Sequence, residues 1–274
     1  MNTLEREMVV ILKELKEKYG VFEIKAEFEA EGSRMEELMR LKDVTSFVGL
    51  PIILKIGGVE AITDIYNGLA IGVRGIVAPM AETPFALSKY LKLINNVIPK
   101  DNAEDIEFAF NLETITAYNN IDALLELPDI DLLSSITVGR VDFTGSMGRN
   151  RSYVNSEEVL RICEDTFTKI KEKNLKTAIG GAISTESIRF IEHLNAMNLL
   201  DKFETRKVVY DADSIRYGED AIVRGIEFEL LWLKSKRRYY SGIKREDENR
   251  IMMIEKRLSQ HTPKKSRLQP VAQL

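Results

Sequence analysis

The sequence predicts an α/β protein whose strands close into a (β/α)8 TIM-type barrel, with one unit irregular or missing. Three observations predict it. Short apolar strand signals alternate with amphipathic helix signals about seven times, the mark of a parallel sheet covered by helices. The length of 274 residues suits one such barrel. Polar and charged residues recur at the ends of the expected strands, where a barrel gathers its active site.

The elements follow in order. Leu4, Met8, Ile11, Leu12, Leu15 and Tyr19 recur at helical spacing and Gly20 supplies a stop, so a helix precedes the first strand. VFEIKAEFE (21–29) reads as a strand in which Lys25, Glu27 and Glu29 alternate and share one side. A helix over 33–44 leads to the strand PIILKIG (51–57), and a helix over 59–71 ends near Gly72. GIVAPM (75–80) is a short apolar strand, followed by a helix from Pro84 to Val97. IEFAFNLE (106–113) leads into a helix over 115–127, and ITVGRVD (136–142) leads through a loop into a helix over 156–173. TAIGGAI (177–183) precedes a helix over 185–197, and RKVVYDA (206–212) precedes a helical region through Lys234. No eighth strand is apparent.

Beyond that the chain turns strongly charged, with apolar residues in a thin stripe of Ile243, Ile251, Met252, Ile254 and Leu258. The expected division is a barrel with its N-terminal helix over 1–235, a charged helical extension over 236–261 and a mobile tail over 262–274. The extension is either a solvated helix or one that docks on a neighbouring subunit, making a homo-oligomer through C-terminal helices.

Hydrophobic residues make up 44% and charged residues 30%, enough apolar content for a full core. A net charge of −4 gives no electrostatic footprint for nucleic acid. The single cysteine, Cys163, excludes an internal disulfide and a thiolate cluster, and reads as a small buried hydrophobe. The N-terminus is charged at once, so neither signal peptide nor membrane anchor is expected and the protein reads as cytoplasmic. Only His193 and His261 exist and neither follows an expected strand, which argues against a serine-type triad and a histidine-ligated zinc site.

Glu113 and Asp142 each fall at the C-terminal end of an expected strand. In a parallel barrel those ends face one cavity, and two carboxylates there make an oxygen-ligand site for a hard divalent cation. Alternatively, Glu113 caps the helix after its strand and Asp142 occupies a turn. Glu82 follows Pro79-Met80 and either hydrogen-bonds a metal-bound water or caps the helix beginning at Pro84. Arg140, next to Gly139, pairs with a substrate carboxylate or with a neighbouring acid. Gly57-Gly58 and Gly180-Gly181 are places where backbone N–H groups could approach an anion.

Three stretches resemble the HpcH/HpaI aldolase and citrate lyase β-subunit family of the phosphoenolpyruvate/pyruvate barrel superfamily. GVRGIVAPMAET resembles the family's Pro-(Met/Lys) strand. FNLETITAYNNIDALLELPDIDLLSSITVGRVDFTGSMG resembles its Ile-Glu-Thr strand, helix, Ile-Asp pair and Ile-Gly-x-x-Asp segment. VNSEEVLRICEDTFTKIKEKNLKTAIG resembles the helix and strand that follow. The resemblance implies a Mg²⁺- or Mn²⁺-dependent carbon–carbon lyase or aldolase working through the enolate of a 2-oxoacid or acyl thioester. Glu113 and Asp142 align with the family's two metal ligands, and Gly139 and Arg140 fall in the same substrate-binding segment. Two departures stand out. Lys55 occupies the place of the family's carboxylate-binding arginine, keeping the charge but losing the planar fork. Phe28 stands where the aldolase branch carries a histidine, so proton transfer falls to Glu27 or Glu29. The expected partner is a small carboxylated substrate. Condensation or phosphoenolpyruvate chemistry on the same barrel, and a barrel without catalysis serving in binding or assembly, are the rivals.

Overall fold

The computed structural model describes residues 1–261, so the tail expected over 262–274 lies outside the described residues, as does the side chain of His261. Helix α1 (Thr3–Tyr19) is held at its start by a capping box between Asn2 and Glu5 and ends at Gly20 in a left-handed turn. Then follow β1 (Val21–Glu27), α2 (Met35–Ser46), β2 (Ile52–Lys55), α3 (Ile62–Ile71), β3 (Gly75–Ala78), α4 (Pro84–Val97) and the short α5 (Lys100–Ala103). The second half comprises β4 (Glu107–Leu112), α6 (Ile115–Asn119), α7 (Ile121–Leu125), β5 (Ser135–Gly139), α8 (Arg140–Ser146), α9 (Glu157–Glu172), β6 (Lys176–Gly180) and α10 (Ile188–Ala196). The strands β7 (Lys202–Glu204) and β8 (Val208–Asp211) and the helix α11 (Gly218–His261) complete the described chain.

The eight strands close into a barrel in sequence order. Strands β1 to β7 pair in parallel, but β8 runs antiparallel to both β7 and β1. The strand unseen in the sequence is β7, only three residues long. The segment expected as the seventh strand is β8, and it reverses through Thr205-Arg206-Lys207 with no intervening helix. A two-faced reason explains both. The stretch KFE is too short to show periodicity, while its ends are fixed by tertiary contacts. Phe203 stacks on Tyr210 across the hairpin with ring centroids 4.8 Å apart. The Tyr210 hydroxyl donates to the Ala221 carbonyl on α11. Asp201, just ahead of β7, accepts from Lys171 and from the Thr177 amide and hydroxyl.

Alternation along the strands sorts the side chains. Ile24, Ala26, Ile52, Leu54, Ile76, Phe110, Ile136, Ile179, Phe203 and Val208 belong to one continuous apolar core against the helices. Their neighbours face the barrel axis, where such barrels ordinarily carry bulky branched residues. Here Ile53, Val77, Ala109, Ala178 and Val209 share the interior with buried Glu23, Lys25, Glu27, Lys55, Asn111, Lys202 and Glu204. Cys163 on α9 is fully buried, and burial pushes its thiol up to about 12. The chain divides into two units, Met1–Trp232 and a second beginning at Leu233. The described part of the second is helical and exposes Ile243, Ile251, Ile254 and Leu258. No helix among the described residues is long and apolar enough to cross a membrane.

Burial opposes ionisation of Asp201, but its bonds to Lys171 and Thr177 outweigh burial and hold the carboxyl below its ordinary 3.8. The stability this contributes is present above pH 3.8 and is lost as pH falls through the lower folded-state value. Asp201→Ala is expected to cost about 1–2 kcal/mol at neutral pH, since the pair is partly exposed. Urea unfolding at pH 7 and pH 3 checks it: a parent–variant gap of the same size at both pH values would exclude this origin.

Candidate active site

A cavity of about 290 Å³ opens where β1, β2, β4, β5, β6 and β7 end. Each strand contributes a side chain or a deliberate lack of one. Lys25 and Glu27 come from β1, Lys55 from β2, Asn111 from β4 with Glu113 just beyond, and Glu204 from β7. Gly139 ends β5 and Gly180 ends β6. A Cβ on Gly139 would lie 2.7 Å from Glu113 Cγ, and one on Gly180 would lie 2.8 Å from Glu204 Oε1. Only glycine lets the two glutamates fold across these strands into the mouth.

The buried charges form two clusters. The Lys25 ammonium pairs directly with Glu204, two strands along on the far side of β8, and lies 3.5 Å from Glu27. Burial opposes its charge, yet Glu204 and Glu27 outweigh burial and hold Lys25 above the ordinary lysine range. Lys55 bonds Glu113 Oε1 at 2.8 Å and Glu29 at 2.8 Å, and these carboxylates likewise outweigh burial and raise it. Asn111 Nδ2 donates to the same Glu113 oxygen at 2.8 Å. That leaves Glu113 Oε2 and Asn111 Oδ1 buried without a hydrogen-bond partner. Burial, then repulsion from Glu113, Glu29 and Glu27, raises the Asp142 carboxyl above its usual value, with Lys55 opposing.

Most of the residues expected in the site are brought together, with corrections. Glu27, Lys55, Glu113, Gly139 and Asp142 all line the cavity. Glu29 lies beyond the end of β1 and reaches the site through Lys55 instead of lining the cavity. Asp142 stands on α8, because the strand ends at Gly139 and not at residue 142. Helix capping after β4 and β3 belongs to Thr114 and Thr83, whose hydroxyls accept from Ala117 and Ala86, so neither Glu113 nor Glu82 is a cap. Glu82 does not line the cavity; its carbonyl accepts from Asn120. Arg140 also lies outside the lining. Its guanidinium is fully buried and donates to the Gly180, Gly181 and Val154 carbonyls, to Asn155 Oδ1 and to Ser187 Oγ. Burial pulls its pKa down to about 10. The Gly57 amide is taken by Asp64 Oδ2, which removes it as an anion donor. His193 pairs with Glu164 away from the cavity.

Four charged lining residues lay beyond the sequence reading: Arg151, Glu204, Arg206 and Glu229. Glu204 and Arg206 flank the reversal after the short β7, and Glu229 faces in from α11, so no strand-end pattern marks them. Burial raises the Glu229 carboxyl, opposed by Arg206 and Lys207. In all, five carboxylates and four cationic side chains line the cavity. The surplus negative charge favours a bound cation.

Among the described residues no three histidine, cysteine or carboxylate side chains converge on one point. The donors nonetheless fit a hard ion that keeps water: Glu113 and Asn111 offer unpartnered buried oxygens beside the Asp142 carboxylate.

Sequence comparison with family models and with curated proteins finds no match. Comparison of folds finds several solved structures. An HpcH/HpaI aldolase from Desulfitobacterium hafniense DCB-2 is 12% identical, with a TM-score of 0.58 over 77% of this chain and 84% of that one. An HpcH/HpaI aldolase/citrate lyase family protein from Burkholderia cenocepacia J2315 is 13% identical, with a TM-score of 0.58 over 88% and 90%. Citrate synthase SbnG is 16% identical, with a TM-score of 0.58 over 85% and 89%. The chain shares their barrel fold.

Removing the Lys25 ammonium leaves Glu204 and Glu27 buried without it. Lys25→Met is expected to destabilise the protein by about 3–5 kcal/mol, and the double variant Lys25→Met/Glu204→Leu to recover most of that loss. Denaturant unfolding of both variants is the check; a single variant as stable as the parent would show that the pair does not hold the barrel.

Proposed function

We propose that the protein is a divalent-metal-dependent carbon–carbon lyase or condensing enzyme. Its substrate is a small carboxylated compound reacting through the enolate of a 2-oxoacid or acyl thioester. The observation that carries this reading is the pair of unpartnered buried oxygens, Glu113 Oε2 and Asn111 Oδ1, beside Asp142 at the barrel mouth. A buried carboxylate oxygen without a partner costs free energy that a cation would offset. The fold shared with aldolase and citrate synthase structures supports the same chemistry.

Glu113 and Asp142 would hold Mg²⁺ or Mn²⁺, with the Asn111 carbonyl beside them. A bound ion supplies positive charge to the developing enolate oxygen. Lys55 and Asn111 both grip Glu113 Oε1, which fixes the carboxylate and leaves Oε2 for the ion. This makes Lys55 a positioning residue, since its ammonium already serves two carboxylates. Glu27 and Glu229 are the lining carboxylates left to move a proton. The raised Glu229 brings its basicity closer to neutrality, where a general base is effective.

Calorimetric titration with Mn²⁺, with and without pyruvate or oxaloacetate, tests the proposal. Glu113→Gln and Asp142→Asn are each expected to weaken the ion at least tenfold without unfolding the protein, because a carboxamide keeps the shape and loses the charge. A parent that binds no Mn²⁺, with or without the oxoacid, would overturn the metal-dependent reading.

Glu229→Gln should lower kcat about 100-fold while Mn²⁺ affinity holds. In the parent the acid limb of kcat should lie above pH 4.5, with activity falling as pH drops through the raised Glu229 value. A variant retaining both kcat and that limb would move the base elsewhere.

A further inference from the structure

A second cavity, of about 540 Å³, lies at the end of the barrel opposite the mouth, where β4, β6 and β7 begin and β8 ends. It shares no lining residue with the mouth. The strand ends lend it Glu107, Lys176, Lys202 and Asp211, and the segments around them add Lys171, Asp201 and Asp213.

Four of these charges are engaged with one another. Lys171 pairs with Asp201 at 2.6 Å, and Lys176 lies 3.7 Å from Glu107. The other three are poorly matched. Asp211 and Asp213 have no ion-pair partner among the described residues. Asp211 Oδ1 accepts from the Asp213 amide at 2.9 Å and Asp213 Oδ1 from Asn195 Nδ2 at 3.2 Å, which leaves the second oxygen of each open. Arg216 feels both carboxylates, yet its guanidinium is bonded to the Tyr217 hydroxyl. Lys202 is only 7% exposed, and its carboxylate partner is Glu23 at 3.5 Å, too long for a strong hydrogen bond. Burial raises the Glu23 carboxyl despite the opposing Lys202, so Glu23 is a weakened counter-charge.

Register sharpens the contrast. Lys202 and Asp211 are directly opposed across the antiparallel β7–β8 pair, where facing side chains share one side of the sheet. An opposite-charge pair is favourable at such a position, yet no ion pair joins them and the ammonium meets Glu23 instead. The lining also has apolar members in Phe22, Leu200 and Ala212. Phe22 leaves 39% of its surface exposed, with its ring centroid 6.0 Å from the Lys202 ammonium.

We infer that this cavity binds a free α-amino acid with an apolar side chain. Its carboxylate lies on Lys202, its ammonium on Asp211 and Asp213, and its side chain against Phe22. An α-amino acid carries both charges on one carbon, which suits a cation and an anion at opposed positions of one strand pair. A simple carboxylate would meet the two open aspartates, and a simple amine the buried ammonium, so each is rejected by the group that the other needs. The site is independent of the metal-dependent reading of the mouth.

Calorimetric titration of the full-length protein with L-norleucine is the test. Hexanoate lacks its ammonium, pentylamine its carboxylate and glycine its side chain. L-Norleucine should bind about tenfold or more tightly than each of the three. Asp211→Asn/Asp213→Asn keeps both acceptor oxygens and should weaken L-norleucine about tenfold without weakening hexanoate. Lys202→Met/Glu23→Leu removes the ammonium together with its counter-charge and should bring L-norleucine down to the level of pentylamine. Glu113→Gln, at the mouth, should bind L-norleucine as the parent does. The inference is overturned if the parent binds no L-norleucine, if any truncated probe binds as tightly, or if either folded double variant matches the parent. Loss of L-norleucine binding in Glu113→Gln would assign the amino acid to the mouth and overturn it equally. Loss of Mn²⁺ in Glu113→Gln with L-norleucine retained would support both sites separately.

Discussion

The ion pair between Lys25 and Glu204 is the constraint on which the mouth depends. It joins the first strand to the seventh past the one strand that runs backwards between them. An ammonium so deeply buried survives only with carboxylates against it, and Glu204 and Glu27 provide them. Because Glu204 is drawn to Lys25, it lies over Gly180, and that close approach explains why β6 must end without a side chain. The second cluster repeats the logic one pair of strands away. Lys55 draws Glu113 over Gly139, and Asn111 fixes the same oxygen. A small set of oppositely charged side chains thus replaces the branched apolar filling usual at this end of a barrel.

This arrangement has chemical consequences. Saturated lysines do not serve readily as anchors for an incoming anion, so the charge that remains available is negative and centred on Glu113 and Asp142. Burial, and after it repulsion from Glu113, Glu29 and Glu27, raises the Asp142 carboxyl, with Lys55 opposing. A divalent ion would relieve the repulsion and occupy the unpartnered oxygens together. Arg151 also lines the cavity, with no ion-pair or hydrogen-bond partner for its side chain among the described residues.

Arg140 shows how an arginine beside a site can act without touching its contents. Buried against Phe190 with its ring centroid 4.9 Å away, it spends its donors on carbonyls, an amide oxygen and a hydroxyl of two loops. The sequence context left it to pair with a substrate carboxylate or a neighbouring acid; the fold uses the same fork to tie together the loops around residues 154–155 and 180–187. A planar five-donor group suits that work because it reaches several main-chain acceptors at once.

Much of the barrel was legible from the residues. Alternating strand and helix periods, the helix stop at Gly20 and the apolar runs of β2 to β5 are local signals, each set by side-chain spacing along one element. The placement of Glu27, Lys55 and Glu113 around one cavity followed from the same periodicity, because strand ends in a parallel barrel share a face, whereas Asp142 reaches it from the helix after β5. What the sequence could not decide was everything that depends on partners distant in the chain. The strand Lys202–Glu204 is too short to carry a period, and its direction relative to β8 is set by the Phe203–Tyr210 stack and the Asp201 contacts. The roles of Glu204, Glu229 and Arg151 arise from segments that meet the mouth only after the barrel closes. Arg140 was visible, but its burial was not. Charge at one position is a property of the sequence, whereas whether that charge meets substrate, a carboxylate or a main-chain carbonyl is decided by tertiary contacts alone.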